Sequence, residues 1–134
     1  MSTRETILAA IATTLAGVAS GRVYRSRREA IETLPAVVIE PRSEEADENA
    51  LGVLDRTLHV GISVYAKGDT PDNAADATLS AVWAALAASP QLGQGTDVQI
   101  DMAHQSVEWD FEDYDYARAI LNIDVGFRTA SNAM

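Results

Sequence analysis

Apolar and polar residues alternate from Ala117 to Phe127, and this run is the longest stretch of period two in the chain. Successive side chains of a strand point to opposite faces, so the apolar members of the run share one face. Such a strand requires hydrogen-bonded neighbours and a second layer that covers its apolar face. The apolar members are Ala117, Ala119, Leu121, Ile123, Val125 and Phe127.

Four other segments have the chemistry of strands. Residues 57–64 alternate, with Leu58, Val60, Ile62 and Val64 on one side. Residues 34–40 (LPAVVIE) are rich in β-branched side chains and begin near a proline, which cannot donate to a ladder. Residues 23–24 predict the start of a short strand, and residues 98–102 predict one that continues toward Trp109. The segment 110–116 (DFEDYDY) is expected to connect the last two strands as a hairpin.

Two segments have helical periodicity. Residues 3–17 are preceded by Ser2, which forms a capping-box pattern with Glu5. Thr70 as the cap and Pro71 at the first helical position indicate where the second helix begins. The expected buried stripe of the first helix is Ile7, Leu8, Ile11, Leu15 and Val18, and that of the second is Ala75, Leu79, Val82, Trp83 and Leu86.

The order of elements predicts an α+β fold. Residues 41–54 (PRSEEADENALGVL) are acidic and have no sustained period, so they predict a flexible loop of about 14 residues. The resulting order is α-β-β-β-α-β-β. Two helices on one face of a mostly antiparallel (mixed) sheet of four to five strands is the economical packing. The 134 residues correspond to one domain, 1–134.

The formal net charge is −10, from 20 acidic and 10 basic residues. This charge argues against a general binder of the nucleic-acid backbone. Both signs are clustered, and two patches of opposite sign would let identical copies attract one another head to tail. The candidate interface residues are Arg22, Arg25, Arg27 and Arg28 in one patch, and Glu44, Glu45, Asp47 and Glu48 in the other.

Each patch also has a simpler interpretation. The negative charge is typical of a soluble surface. The arginine run, RVYRSRRE, has a composition that suits phosphate contact and base stacking. Salt bridges between subunits are the preferred interpretation, because arginine offers a planar fork to carboxylates.

The acidic-aromatic segment 108–116 is the most unusual stretch of the chain. It is interpreted as a solvated hairpin tip, as a protein-contact surface with aromatic anchors, or as a site for a divalent ion. Its spacing fits no EF-hand loop. The possible partner-contact residues are Trp109, Phe111, Tyr114 and Tyr116.

No arrangement of residues predicts catalysis. The chain has no cysteine, and His59 and His104 have no obvious supporting ligands for a metal. No nucleophile elbow or phosphate-binding loop is present, and Lys67 is the only lysine. We therefore expect a protein without enzymatic activity, cofactor or metal. The apolar stretches are shorter than a membrane span and the N-terminus lacks an export pattern, so we expect no membrane partner.

Five segments together resemble one known family. They are RETILAAIATTL, LPAVVIEP with the acidic stretch after it, RTLHVGISVYAKG, DNAADATLSAVWAAL and QSVEWDFEDYDYARAILNIDVGFRT. In their order and character they resemble phage tail terminator proteins, the minor tail protein U-like family of long-tailed phages. The resemblance covers nearly the whole chain and concerns patterns of elements more than single residues.

The resemblance implies a structural role in the virion. Proteins of this family form a six-membered ring that caps the tail tube, ends its polymerisation and offers a surface for head joining. The implied partners are other copies of the chain, the tail tube protein and a head-completion or connector protein. DNA would pass through an acidic lumen without specific binding. The particle would be assembled in the cytoplasm of the bacterial host.

Three alternatives stay open at this point. A head–tail connector (neck) or another tail-completion protein has the same ring symmetry and size. A small metal-dependent enzyme would use His59, His104 and the carboxylates of 108–115. A ligand-binding α/β module would require a pocket.

Overall fold

The fold was analysed in a computed structural model that describes residues 3–25, 35–50, 52–68, 70–94, 98–113 and 116–130. The chain begins with a helix, forms three strands, crosses over a second helix and ends with two strands. A single 3-10 turn, Val18–Gly21, connects the first helix to the first strand. The elements are α1 (Thr3–Thr14), β1 (Val23–Arg25), β2 (Ala36–Ala50), β3 (Val53–Lys67), α2 (Pro71–Ala88), β4 (Val98–Asp113) and β5 (Tyr116–Ala130).

The five strands form one sheet in the order β1-β2-β3-β5-β4. β1 runs parallel to β2 along Val37–Ile39. The other three pairings, β2–β3, β3–β5 and β4–β5, are antiparallel. The α+β class, the mostly antiparallel sheet and the order α-β-β-β-α-β-β are therefore confirmed.

Both helices cover the same face of the sheet. In β3 and β5 the apolar residues lie in phase, because Ile62 is paired with Leu121 and Val60 with Ile123. These four side chains are buried, and they pack in one cluster with apolar residues of both helices. The helical members include Ile7, Leu8, Ile11, Leu15, Ala75, Leu79, Val82 and Leu86. The period-two and helical patterns thus identified most of this core.

The predicted loop at 41–54 is wrong. β2 continues through Ala50, and β3 already begins at Val53, so this stretch is the distal half of a β-hairpin. Glu45 is paired with Thr57, and Asp47 with Asp55. The period was missing from the sequence because this half of the hairpin has polar residues on both faces. Backbone pairing with β3, which needs no apolar pattern, holds it in strand geometry.

The pairing of β2 with β3 contains a bulge between Pro41 and Ser43. Pro41 is opposite Val60 and Ser43 is opposite His59, so Arg42 is the extra residue. An extra residue reverses which side chains face each side of a strand. Odd-numbered residues of β2 face the helices before the bulge, whereas Glu44, opposite the buried Leu58, faces them after it.

The helix ends follow the predicted signals in part. Thr70 is the N-cap residue of α2 and Pro71 occupies its first turn, but the Thr70 side chain makes no capping hydrogen bond. α2 ends at Ala88, followed by Ser89 as the C-cap. α1 ends three residues earlier than predicted, at Thr14. Ser2, the expected cap of α1, lies outside the described residues.

Ile62→Ala should test the central position of β3. Ile62 is fully buried, and truncating such a side chain costs about 2–5 kcal/mol of unfolding free energy. Urea denaturation followed by tryptophan fluorescence measures the loss. Val107→Ala is the control, because Val107 is 41% exposed and should cost less than about 1 kcal/mol. Equal losses for the two variants would contradict the assigned core.

Candidate interaction surfaces

Glu44 is bound by two arginines of its own chain. Arg4 on α1 donates from Nε to Glu44 Oε1 at 2.7 Å and from Nη2 to Oε2 at 2.8 Å. Arg56 on β3 donates from Nη1 to Oε2 at 3.0 Å and from Nε to the Thr129 hydroxyl at 2.8 Å. Side-chain exposure is 15% for Glu44 and 8% for Arg56. The cluster therefore ties the β2–β3 hairpin to both α1 and β5.

This arrangement favours the charged form of Glu44. The hydrogen bonds from Arg4 lower the pKa of Glu44 below its ordinary value, and Arg56 acts in the same direction, although burial opposes both. The bidentate geometry with Arg4 is the strong form of a carboxylate–guanidinium contact. Glu44 was predicted as a residue for contact with another subunit, but it contacts residues of its own subunit.

The two described arginines of the arginine patch have different partners. Arg22 donates from Nε to the Pro35 carbonyl at 2.8 Å. Arg25 binds both carboxylate oxygens of Glu5, at 2.6 and 2.9 Å. The Arg25–Glu5 pair is exposed to solvent, with 35% and 43% of the two side chains accessible. Arg27 and Arg28 lie outside the described residues.

The acidic patch is placed on the distal half of β2. Glu45 and Asp47 are exposed, and 75% of the Glu45 side chain is accessible. Glu48 belongs to β2 and is paired with Leu54. Within one chain, the described residues Arg22 and Arg25 are not paired with Glu44, Glu45 or Asp47. A contact between the two patches of neighbouring subunits therefore stays a prediction.

The face of the sheet opposite the helices has a polar cluster around His59. His59 Nδ1 lies 2.6 Å from Asp124 Oδ1 on β5, and its Nε2 lies 3.4 Å from Glu45 Oε1 on β2. The hydrogen bond with Asp124 raises the pKa of His59, and Glu45 adds to this rise, while burial opposes it. The two contacts join three neighbouring strands across this face.

A second part of the same face is organised by Arg118. Its guanidinium carbon lies 5.5 Å from the centre of the Tyr65 ring, within the range of a cation–π contact. Its Nη2 donates to the Ser63 hydroxyl at 3.2 Å. Farther along, Arg128 donates from Nε to Asp55 at 2.8 Å. This face therefore carries the ion pairs His59–Asp124 and Arg128–Asp55 and the uncharged partners of Arg118.

A groove lies on the helix side of the sheet, between α2 and β4. We call it the α2–β4 groove. Its apolar part is a hollow of about 310 Å³. The walls of this hollow include Leu79, Trp83, Gln105, Val107 and Leu121. The next hollow along the strand, of about 350 Å³, is lined by Trp109 and by Asp72, Asn73 and Asp76 at the start of α2.

Trp109 is placed differently from the sequence expectation. It lies inside β4, paired with Ala119, and not at the tip of the hairpin. Its side chain is 43% exposed, and Val107, two residues earlier on the same face, is 41% exposed. Phe111 belongs to β4 and Tyr116 begins β5, while Tyr114 lies outside the described residues. Neighbouring exposed apolar side chains are a feature of interaction surfaces.

Comparison with family models and curated sequences adds no chemistry to these surfaces. No family model and no curated protein sequence matches this chain. Within the described residues, no group of three or more His, Asp or Glu side chains is arranged to hold a metal ion. No helix in the described part of the chain has both the length and the hydropathy to cross a lipid bilayer.

Sequence reasoning missed several of the residues that organise these surfaces. Arg4, Arg56 and Asp124 each have a partner that is distant in the sequence, Glu44 for the two arginines and His59 for Asp124. No local spacing identifies such pairs. Trp83 was assigned to the buried stripe of α2, yet it is only half-buried and lines the α2–β4 groove.

Glu44→Gln should destabilise the fold at neutral pH by about 2–4 kcal/mol, because the buried guanidinium of Arg56 loses its carboxylate. The folded pKa of Glu44 is lowered, so its contribution is present above the ordinary carboxyl pKa and is lost as the pH falls through the folded value. Urea denaturation should therefore show the gap between the two proteins closing below a pH of about 4.

Glu108→Gln is the matched control for Glu44→Gln. Glu108 is an exposed carboxylate on β4, and its neutralisation should change the unfolding free energy by no more than about 0.5 kcal/mol. A loss for Glu44→Gln as small as that for Glu108→Gln would exclude the proposed anchoring role of Glu44.

Asp124→Asn should lower the pKa of His59, because the carboxylate that favours the imidazolium is removed. A raised folded pKa means that His59 stabilises the fold fully below about pH 6.5 and loses this contribution as the pH rises through the folded pKa. Proton NMR of the two histidines measures the midpoint, with His104→Gln used for assignment. Glu45→Gln should give a smaller shift, and an unmoved midpoint in Asp124→Asn would contradict the pairing.

Proposed function

We propose that this protein is a phage tail terminator, a subunit of a six-membered ring that caps the tail tube. The ring ends tube polymerisation and offers the surface for head joining. The resemblance of five segments, in order and over nearly the whole chain, supports this proposal. Its partners are other copies of the chain, the tail tube protein and a head-completion or connector protein.

The long β2–β3 hairpin is the observation that carries the proposal. Each of its strands has 15 residues, which corresponds to about 50 Å at the usual rise of a strand. α1 has 12 residues and α2 has 18, so the helices span only about 18 and 27 Å. The distal part of this hairpin, which β5 accompanies as far as Val53, provides the arm with which a subunit reaches its neighbour.

The charges along this arm suit a head-to-tail contact. A closed ring requires two unlike patches that meet around the circle. Glu45 and Asp47 supply a carboxylate patch on the arm. Arg25 forms an exposed pair with Glu5, next to Arg4 of the Glu44 cluster on α1. Exposed pairs of this kind contribute little to stability, so Arg25 can exchange its partner for a carboxylate of the next copy.

The net charge also fits the channel of such a ring. With a formal charge of −10 per chain, six copies would repel the phosphates of DNA at every contact. Repulsion keeps the lumen from binding DNA while the molecule passes. The ring therefore needs no nucleic-acid site to act on the tail.

Light scattering tests ring formation directly. The protein should reach the mass of a hexamer at high concentration, and salt should weaken the assembly because screening acts on exposed charges. Asp47→Lys should shift assembly to about tenfold higher concentration, through loss of attraction and new repulsion. Glu108→Lys carries the same charge change at the far edge of the sheet and should leave assembly unchanged.

Electron microscopy of isolated tail tubes tests the capping role. Added protein should bind at tube ends and stop the further addition of tube subunits, and Asp47→Lys should lower this occupancy. A protein that stays monomeric in light scattering and leaves tube growth unaffected would exclude the terminator role.

A further inference from the structure

We propose that the α2–β4 groove binds an extended, cationic segment of a partner protein. The segment adds to β4 as a new strand, with apolar side chains against Val107 and Trp109 and with Lys or Arg opposite Glu108. This proposal names a surface and a partner chemistry beyond ring formation, and it holds whether or not the ring proposal is correct.

The backbone of β4 offers the first part of the site. β4 is the terminal strand of the sheet formed by the described residues. From Gln105 to Asp110 it is paired in regular register with β5, Gln105 opposite Ile123 and Asp110 opposite Arg118. One side of such a strand presents backbone donors and acceptors away from the sheet, which is the template for strand addition.

The apolar side chains offer the second part. Val107 and Trp109 point to the helix side of β4, where they are 41% and 43% exposed. Beneath Val107 the hollow is walled by Leu79 and Trp83 of α2. An added strand would direct alternate side chains to this same side. Its apolar residues would then cover the two exposed side chains and fill the hollow.

The charges of α2 and β4 indicate what kind of segment the groove binds. The sequence of α2 contains two aspartates and no Lys or Arg. The sequence of β4 (VQIDMAHQSVEWDFED) contains five carboxylates and again no Lys or Arg. Asp72 and Asp76 line the groove itself, whereas Glu108 and Asp110 lie on the other face of β4. An added strand would place side chains beside both sets of carboxylates. An acidic segment would be repelled there, whereas a cationic segment matches the charge.

The positions of the carboxylates place the cationic residues of the partner. Glu108 and Asp110 point to the face opposite the helices. Asp110 is opposite Arg118, whereas Glu108 is opposite the uncharged Ile120. A cation on the added strand would thus be the cross-strand partner of Glu108. The best ligand therefore alternates apolar and basic residues.

Tryptophan fluorescence reports on this site alone. The chain has two tryptophans, and both Trp83 and Trp109 line the groove. The probe is the peptide VKVKVKV, with both ends blocked. Its titration into the full-length protein should give a saturable change in emission that weakens several-fold between about 20 and 200 mM salt. The acidic peptide VEVEVEV and the strand-breaking peptide VKPKVKV should give no saturable change.

Two substitutions and one control locate the contact. Glu108→Lys should weaken binding of VKVKVKV about three- to tenfold, as expected when a cross-strand attraction becomes a repulsion. Val107→Lys should abolish binding, because an inward charge blocks an edge strand. Asp47→Lys makes the same charge change far from the groove and should leave peptide affinity unchanged, although it should weaken the ring.

Several outcomes would overturn the proposal. Equal binding of VEVEVEV and VKVKVKV would contradict the preference for a cationic segment. Equal effects of Glu108→Lys and Asp47→Lys would contradict the location of the site at β4. An emission change that follows protein concentration without peptide would mean that a second copy covers the groove. Glu108 is exposed, so its variant remains informative even if Val107→Lys does not fold.

Discussion

The pairing of β3 with β5 is the constraint on which the rest of the molecule depends. The two strands pair continuously from Val53 opposite Ala130 to Lys67 opposite Tyr116. Because the register has no shift, most apolar residues of the two strands stay on one face along the ladder. The two helices pack on that face, and the opposite face has the hydrogen-bonded pair of His59 and Asp124. The packing of the helices on one face and the polar contacts on the other face thus depend on a single register of β3 with β5.

The bulge in β2 decides on which face of the sheet the carboxylate of Glu44 lies. With Arg42 as the extra residue, Glu44 turns toward the helix layer, where it meets Arg4 and Arg56. If Arg42 were paired in register instead of bulged, Glu44 would fall opposite Thr57 and its side chain would point to the opposite face. The buried guanidinium of Arg56 would then lack a carboxylate. Pro41 lies at the start of the irregularity, and a residue without an N–H is compatible with interrupted pairing.

The sequence predicted the strands in which burial imposes an alternation of apolar and polar residues. It did not predict the strand segment that lacks this alternation. The runs 57–64 and 117–127 predicted β3 and β5 correctly, although their ends lay outside the alternating part. Residues 41–50 have no apolar face, so nothing in their composition distinguished a paired strand from a loop. Trp109 was identified as a contact residue by composition, but its position beside α2 requires the tertiary fold. The partners of Glu44 and His59 are distant in the sequence and were not predictable.

The short length of β1 has a consequence for how copies can stack. Among the described residues β1 is paired with only Val37–Ile39 of β2, so the part of the β2 edge without a described neighbour strand is centred near Glu45, at the level of Gly126. The regular edge of β4 lies at the level of residues 118–123, about 20 Å away along the strand direction. Two copies joined edge to edge through these strands would therefore be displaced by this distance along the strand direction.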